Sequence, residues 1–261
     1  MNLVKEVWTR QDGEAFQAYL KRYSKGEEKA AWEKRIVNTA LPTLAVPSGE
    51  IDRMAREIAK GNATSFLDLR LRDNHSLVLV CGKVIGKVKD FDAMKRYLIE
   101  YARAADNWSA IDSVKFAFNE RNKAAYFALA RECLLDEQHT FVRRLGVVIL
   151  LKMVAFPEYI DGILAAADTL TEEREYYVNM ANAWLIAECF TKAREKTLLY
   201  LSRGIDGNGH NLNAFTIAKA VKNAAIRTAF PPRISSCCEP FCRAAKRKNK
   251  GREKRRNADA Y

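Results

Sequence analysis

Histidine is scarce in this chain, and its three copies, His75, His139 and His210, stand far apart. They cannot supply a metal triad with ordinary local spacing. There is no His-Glu-x-x-His, no glycine-rich phosphate loop and no Gly-x-Ser-x-Gly elbow, so zincin, P-loop and hydrolase-elbow chemistries are excluded. No apolar run is long enough to span a bilayer, and no signal-peptide stretch opens the sequence. A cytoplasmic protein with no membrane partner is expected. Proline is absent between 48 and 156 and again between 158 and 230, which leaves long stretches free of helix breakers. Six cysteines are scattered. Cys81, Cys133 and Cys189 fall inside helical apolar patterns and read as small buried hydrophobes in a reducing compartment. Cys237, Cys238 and Cys242 lack a fourth ligand nearby and read as free thiols.

What is present is apolar content and positive charge. The 261 residues are 48% hydrophobic, enough for a sizeable core. Lys and Arg number 44 against 32 acids, a net +12, which favours a polyanionic partner. The excess is uneven: residues 231–261 hold ten basic against three acidic residues, +7, leaving +5 elsewhere. That tail reads as a basic disordered extension, and residues 1–230 as one domain.

Apolar residues recur at helical spacing, which predicts helices at 14–23, 26–40, 48–60, 63–70, 75–87, 90–104, 108–118, 121–134, 138–154, 157–169, 172–190, 193–202 and 212–225. Ser48, Asp106-Asn107, Pro157 and Thr171 supply cap or first-turn signals. The 138–154 stretch is apolar almost all round, as an inner helix packed on several sides must be. An all-α chain follows, either a compact bundle or an α-α superhelix of HEAT-like repeats. The inner helix favours the second.

Three segments carry residues able to do chemistry. In NWSAIDSV at 107–114, a helix to 118 would set Asp112 about 40° and Lys115 about 20° from Trp108, away from the stripe of Ile111, Val114 and Phe118. Asp112 then either enjoys the helix N-terminal field or serves a function, and Trp108 either packs or binds. In FVRRLGVV at 141–148, Arg143 and Arg144 open an apolar helix, as a solvated turn or an anion contact. In YYVNMANAW at 176–184, Tyr177 and Trp184 lie seven apart on one face with Tyr176 on the flank. They are core or binding surface.

On these residues the chain resembles the AlkD-like DNA alkylation repair proteins across about 14–228. The matching stretches are 19–26 with 30–34, LPTLAVP at 41–47, VCGKVIGKVK at 80–89 with Asp90-Phe91, Asn107-Trp108 with Ile111-Asp112-Ser113, RLGVV at 144–148, and YYVNMANAWLIAECF at 176–190. The resemblance implies a HEAT-like solenoid with a positively charged concave face for duplex DNA. It implies a monofunctional glycosylase that excises cationic N3- or N7-alkylated purines as a monomer, with no metal or organic cofactor. Asp112 matches the catalytic aspartate. Trp108 and Trp184 match aromatics at the lesion-bearing nucleotide's backbone, and Arg144 matches a DNA-contacting arginine. Tyr177, or Tyr176, falls where the family has an aromatic near DNA. The family works from the backbone side, without a base pocket. Asn179-Met180 depart from the family pattern, which has a basic pair there. Two other readings stand beside the glycosylase: a non-catalytic module binding damaged or branched DNA, and a helical-repeat scaffold whose DNA affinity lies in the tail.

Overall fold

The computed structural model describes residues 1–203 and 212–228. The basic tail, its three cysteines and His210 lie outside them. Among the described residues there are thirteen α-helices, two 3-10 turns and no strand. The all-α class is as expected, in keeping with an α-α superhelical repeat. The chain divides into two compact units, residues 1–122 and a second from Lys123 on.

The first unit holds α1 (Arg10–Lys21), α2 (Glu27–Val37), α3 (Ser48–Ile58), α4 (Ala63–Leu67), α5 (His75–Ile85), α6 (Phe91–Arg103) and α7 (Trp108–Asp112). Its centre is α5, in contact with α1, α3, α4, α6 and α7. The sequence HSLVLVCGKVI is apolar on nearly every side, and nearly all of it is buried, Lys83 included. Such a helix is stable only when packed all round. Before α1, residues 1–9 run without regular structure, yet Leu3 and Trp8 are buried. Trp8 meets Phe66 at 5.0 Å and Phe16 at 6.0 Å, edge to face. The backbone of Lys5 accepts a hydrogen bond from Asn62 N–H at 2.8 Å.

The second unit holds α8 (Lys123–Leu134), α9 (Thr140–Met153), α10 (Ile160–Ala167), α11 (Tyr176–Lys192), α12 (Arg194–Arg203) and α13 (Ala214–Thr228). The 3-10 turns Pro157–Tyr159 and Asp168–Leu170 flank α10. As its composition requires, α9 packs between α8 and α11. Gly146 lets α8 approach: a Cβ there would lie 2.7 Å from the Ala130 carbonyl and 3.0 Å from Cys133 Cβ. Cys81, Cys133 and Cys189 are buried, as expected, and none is in a disulfide. Burial pushes Cys81 and Cys189 up to about 12, so they stay protonated.

Four of the helix termini that differ from expectation, in limit or in capping, do so for a clear local reason. The first helix starts at Arg10, because Thr9 and Asp12 form a reciprocal capping box. Ser48 is the first helical residue of α3, after Pro47, and makes no cap. Thr171 follows a 3-10 turn, and α11 begins only at Tyr176. Between them, the Glu173 carboxylate accepts the N–H groups of Arg174 and Glu175 and holds a turn.

The fourth difference bears on the candidate site: α7 ends at Asp112, and 113–118 is not helical. The Ser113 hydroxyl donates back to the Ala110 carbonyl at 3.0 Å. Val114 is buried, Lys115 exposed, Phe116 half-buried and Ala117 exposed, an alternation of period two rather than 3.6. A β-branched residue and alternate phenylalanines suit extended backbone.

Candidate functional site

In the first unit the candidate site is α7. Asn107 caps it, its Oδ1 accepting the Ala110 N–H at 3.0 Å, and the side chain is fully buried. Its amide Nδ2 donates to Asp106 Oδ1 at 2.7 Å and faces His75 Nδ1 at 3.4 Å. Asp106 in turn accepts from the Thr39 hydroxyl at 2.6 Å and the Ala40 N–H at 2.8 Å. Burial opposes ionisation of Asp106, but bonds from Thr39, Asn107 and Ala40 outweigh it and hold the carboxyl below its ordinary range. His75 is buried, which pulls its imidazole down to about 4. It is therefore neutral at pH 7 and accepts at Nδ1. From the other side, the buried Tyr101 hydroxyl lies 3.1 Å from the Ala110 carbonyl. A five-residue helix thus has three fixed anchors: its cap, the loop before α3, and α6.

On that fixed turn Trp108 and Asp112 are half-buried and four apart, hence neighbours on one face. Asp112 is the last helical residue. A helix C-terminus disfavours a carboxylate, so the first-turn field does not account for it.

Lys115 does not share that face, because the helix that would carry it there stops three residues earlier. Its ammonium bonds Asp52 at 2.9 Å, and Asp52 also receives the buried Lys83 at 2.8 Å. Burial raises Asp52, but the two ammonium groups more than compensate and hold it below the ordinary carboxylate range. Gly86 explains the approach of this segment to α5: a Cβ would fall 2.1 Å from the Lys115 carbonyl.

The remaining candidates lie in the second unit, about α9 and α11. Arg143 is committed to Glu173, Nε at 2.6 Å and Nη2 at 3.3 Å, and to the Asp136 carbonyl at 2.9 Å. Arg144 is 5% exposed and reaches the Tyr177 carbonyl at 2.5 Å. The Tyr177 ring lies between Phe141 at 5.7 Å, tilted, and Tyr176 at 5.4 Å, edge to face, and exposed Tyr176 continues edge to face to Phe215 at 6.0 Å. Trp184 is half-buried, with Lys152 Nζ 5.9 Å from its ring centre. Asn179 is buried: its carbonyl accepts from Asn213 at 2.8 Å and Thr216 at 3.2 Å, and its amide donates to Glu173 O at 3.0 Å.

The structure thus brings Trp108 and Asp112 together in one unit, and Arg144, Tyr177 and Tyr176 in the other. It ties Lys115 and Arg143 to carboxylates. Sequence reasoning missed Asp52, Lys83, Phe141 and Phe215. Asp52 and Lys83 are 31 residues apart, and no local period links them. It also missed Tyr19 and Tyr23, whose hydroxyls lie 2.9 Å apart and accept from Arg53 at 3.3 and 3.2 Å. Their i, i+4 spacing on α1 was the available signal. Among the described residues no three His, Cys, Asp or Glu gather closely enough to hold a metal ion.

Fold and side chains together define an all-helical protein with a carboxylate and an indole on one short helix of the first unit, and a buried arginine beneath two edge-to-face tyrosines in the second. The model of the DNA alkylation repair enzyme family matches residues 9–224, and the chain belongs to that family. A role in DNA alkylation repair follows, with DNA as the partner. No curated protein and no solved structure gives a match.

Proposed function

We propose that the protein is a DNA glycosylase that hydrolyses the N-glycosidic bond of cationic N3- or N7-alkylated purines in duplex DNA. The observation that carries this reading is Asp112 beside Trp108 on a turn anchored from three directions, in a chain of the alkylation repair family. A cationic purine leaves with the C1′–N electron pair and so needs little acid assistance. What requires help is the oxocarbenium-like sugar, which a fixed carboxylate stabilises while it orients a water molecule. The water oxygen bonds C1′ and its proton passes to Asp112 or solvent. No cofactor enters the balance. In the first unit Trp108 packs against the damaged nucleotide's backbone; in the second, Trp184 with Tyr177 or Tyr176 supplies the DNA contacts, and the buried Arg144 braces Tyr177 through its carbonyl.

The test is release of 7-methylguanine or 3-methyladenine from alkylated duplex DNA. Wild-type release, reduced by two orders of magnitude or more in Asp112→Asn, is expected, of the size seen when one electrostatic transition-state contact is removed. Equal release from both proteins removes Asp112 from its role.

A second reading, a non-catalytic module that binds damaged or branched DNA, is favoured by one observation. Asn179, at the position of the family's basic pair, is engaged internally. Salt-sensitive binding without base release would select it.

A further inference from the structure

A cavity of about 260 Å³ opens in the first unit between the 68–74 loop, α5 and α6. Of the side chains around it, Tyr101 touches the turn that carries Asp112, through its hydroxyl on the Ala110 carbonyl. Its wall is largely apolar: Leu67, Leu71, Val78, Cys81, Ile85 and the ring of Tyr101. Protein interiors rarely leave space of this size unfilled. A dry apolar cavity of ~150 Å³ accepts benzene, so this one has room for roughly ten non-hydrogen atoms.

The charged groups on the wall are Arg70, Arg72 and Glu100. Arg70 and Glu100 pair with each other at 2.9 Å and cancel. Arg72 is different. Among the described residues its one hydrogen bond runs from Nη2 to the Ala104 carbonyl, leaving most of a planar five-donor fork uncommitted. Its charge reaches deep into the wall, since it opposes the effect of burial on both the Cys81 thiol and the Tyr101 phenol. Apolar volume with one net guanidinium fits an apolar body carrying one planar anion, and a guanidinium fork matches a carboxylate in shape.

We propose that this cavity binds a small apolar carboxylate, its body of about one ring against Val78, Cys81 and Ile85 and its carboxylate on Arg72. The site is independent of the glycosylase reading, and neither stands or falls with the other.

The test uses the full chain and fluorine NMR of 4-fluorophenylacetate, with neutral 4-fluorophenylacetamide as its isostere and acetate as competitor. Saturable binding of the carboxylate, roughly tenfold tighter than the amide, is expected from one charge-assisted contact. Arg72→Gln should bring the carboxylate to the amide's affinity and leave the amide unchanged. Cys81→Phe should fill the cavity and abolish both. If Cys81→Phe does not fold, Arg72→Gln with the two ligands still decides. The proposal is overturned if neither ligand saturates, if Arg72→Gln leaves the carboxylate's affinity unchanged, or if acetate displaces the ligand as well as the ligand itself does.

Discussion

Asn107 Nδ2 faces His75 Nδ1 at 3.4 Å, with both side chains fully buried. An amide nitrogen only donates, so the imidazole accepts at Nδ1 and carries its proton on Nε2, which is buried with no hydrogen-bond partner among the described residues. The pair has room for a neutral histidine and none for an imidazolium. The cap of α7, and with it Trp108 and Asp112, rests on that neutrality.

Stability should therefore depend on pH through His75. Its pKa is about 4 in the fold against an ordinary 6.5. Between these values the unfolded chain binds the extra proton and the native chain does not. The contribution is thus fully present above about pH 6.5 and is lost as pH falls toward 4. Its size is about 3 kcal/mol at most. Urea unfolding of wild type and His75→Gln at both ends of that window should show a shallower loss in the variant.

Asn107→Ala removes a buried cap and the donor to both Asp106 and His75. A loss of about 2 kcal/mol is expected by urea unfolding. Base release should fall further than the folded fraction accounts for, because the turn bearing Asp112 loses its first anchor.

Gly86→Ala should cost about 1–3 kcal/mol or more, because a Cβ meets the Lys115 carbonyl at 2.1 Å and backbone must shift. Gly49→Ala, where nothing lies within 4 Å, is the control. It should be neutral or raise Tm slightly, as alanine outranks glycine in a helix by about 1 kcal/mol.

Glu173→Gln leaves Arg143 without its carboxylate, at a site where the two side chains are only 13% and 6% exposed. A destabilisation of about 3 kcal/mol is expected. If the second unit meets phosphate through Arg143, the variant should bind duplex DNA with a salt slope steeper by about one. An unchanged slope would assign Arg143 to structure alone.

The fold class was legible because helical period and the lack of proline act locally. The all-apolar stretch about Val147 could only be an inner helix. The error at 108–118 arose where two periods overlap. Ile111, Val114 and Phe118 fit a helical stripe, while Val114, Phe116 and Phe118 fit a strand. The Ser113 back-bond and the contact with Gly86 decide between them, and both depend on atoms that no window of sequence contains. Asp112 stood out as a carboxylate in a helical pattern, but the reason it is fixed lies in Thr39, His75 and Tyr101, remote in sequence. The arginine pair was visible; that Glu173 takes Arg143 was not, since 30 residues separate them.

The cage of Phe16 and Phe66 about Trp8 gives the protein an optical consequence. Of four tryptophans, Trp8 is 4% exposed and Trp32 57% exposed, so one should emit in the blue and the other near the wavelength of free indole in water. Trp184 lies in the second unit, under a lysine. Versions of the chain retaining only Trp8 or only Trp184 would each colour-code one unit, and whether the two halves melt in one step or two becomes readable in a single cuvette.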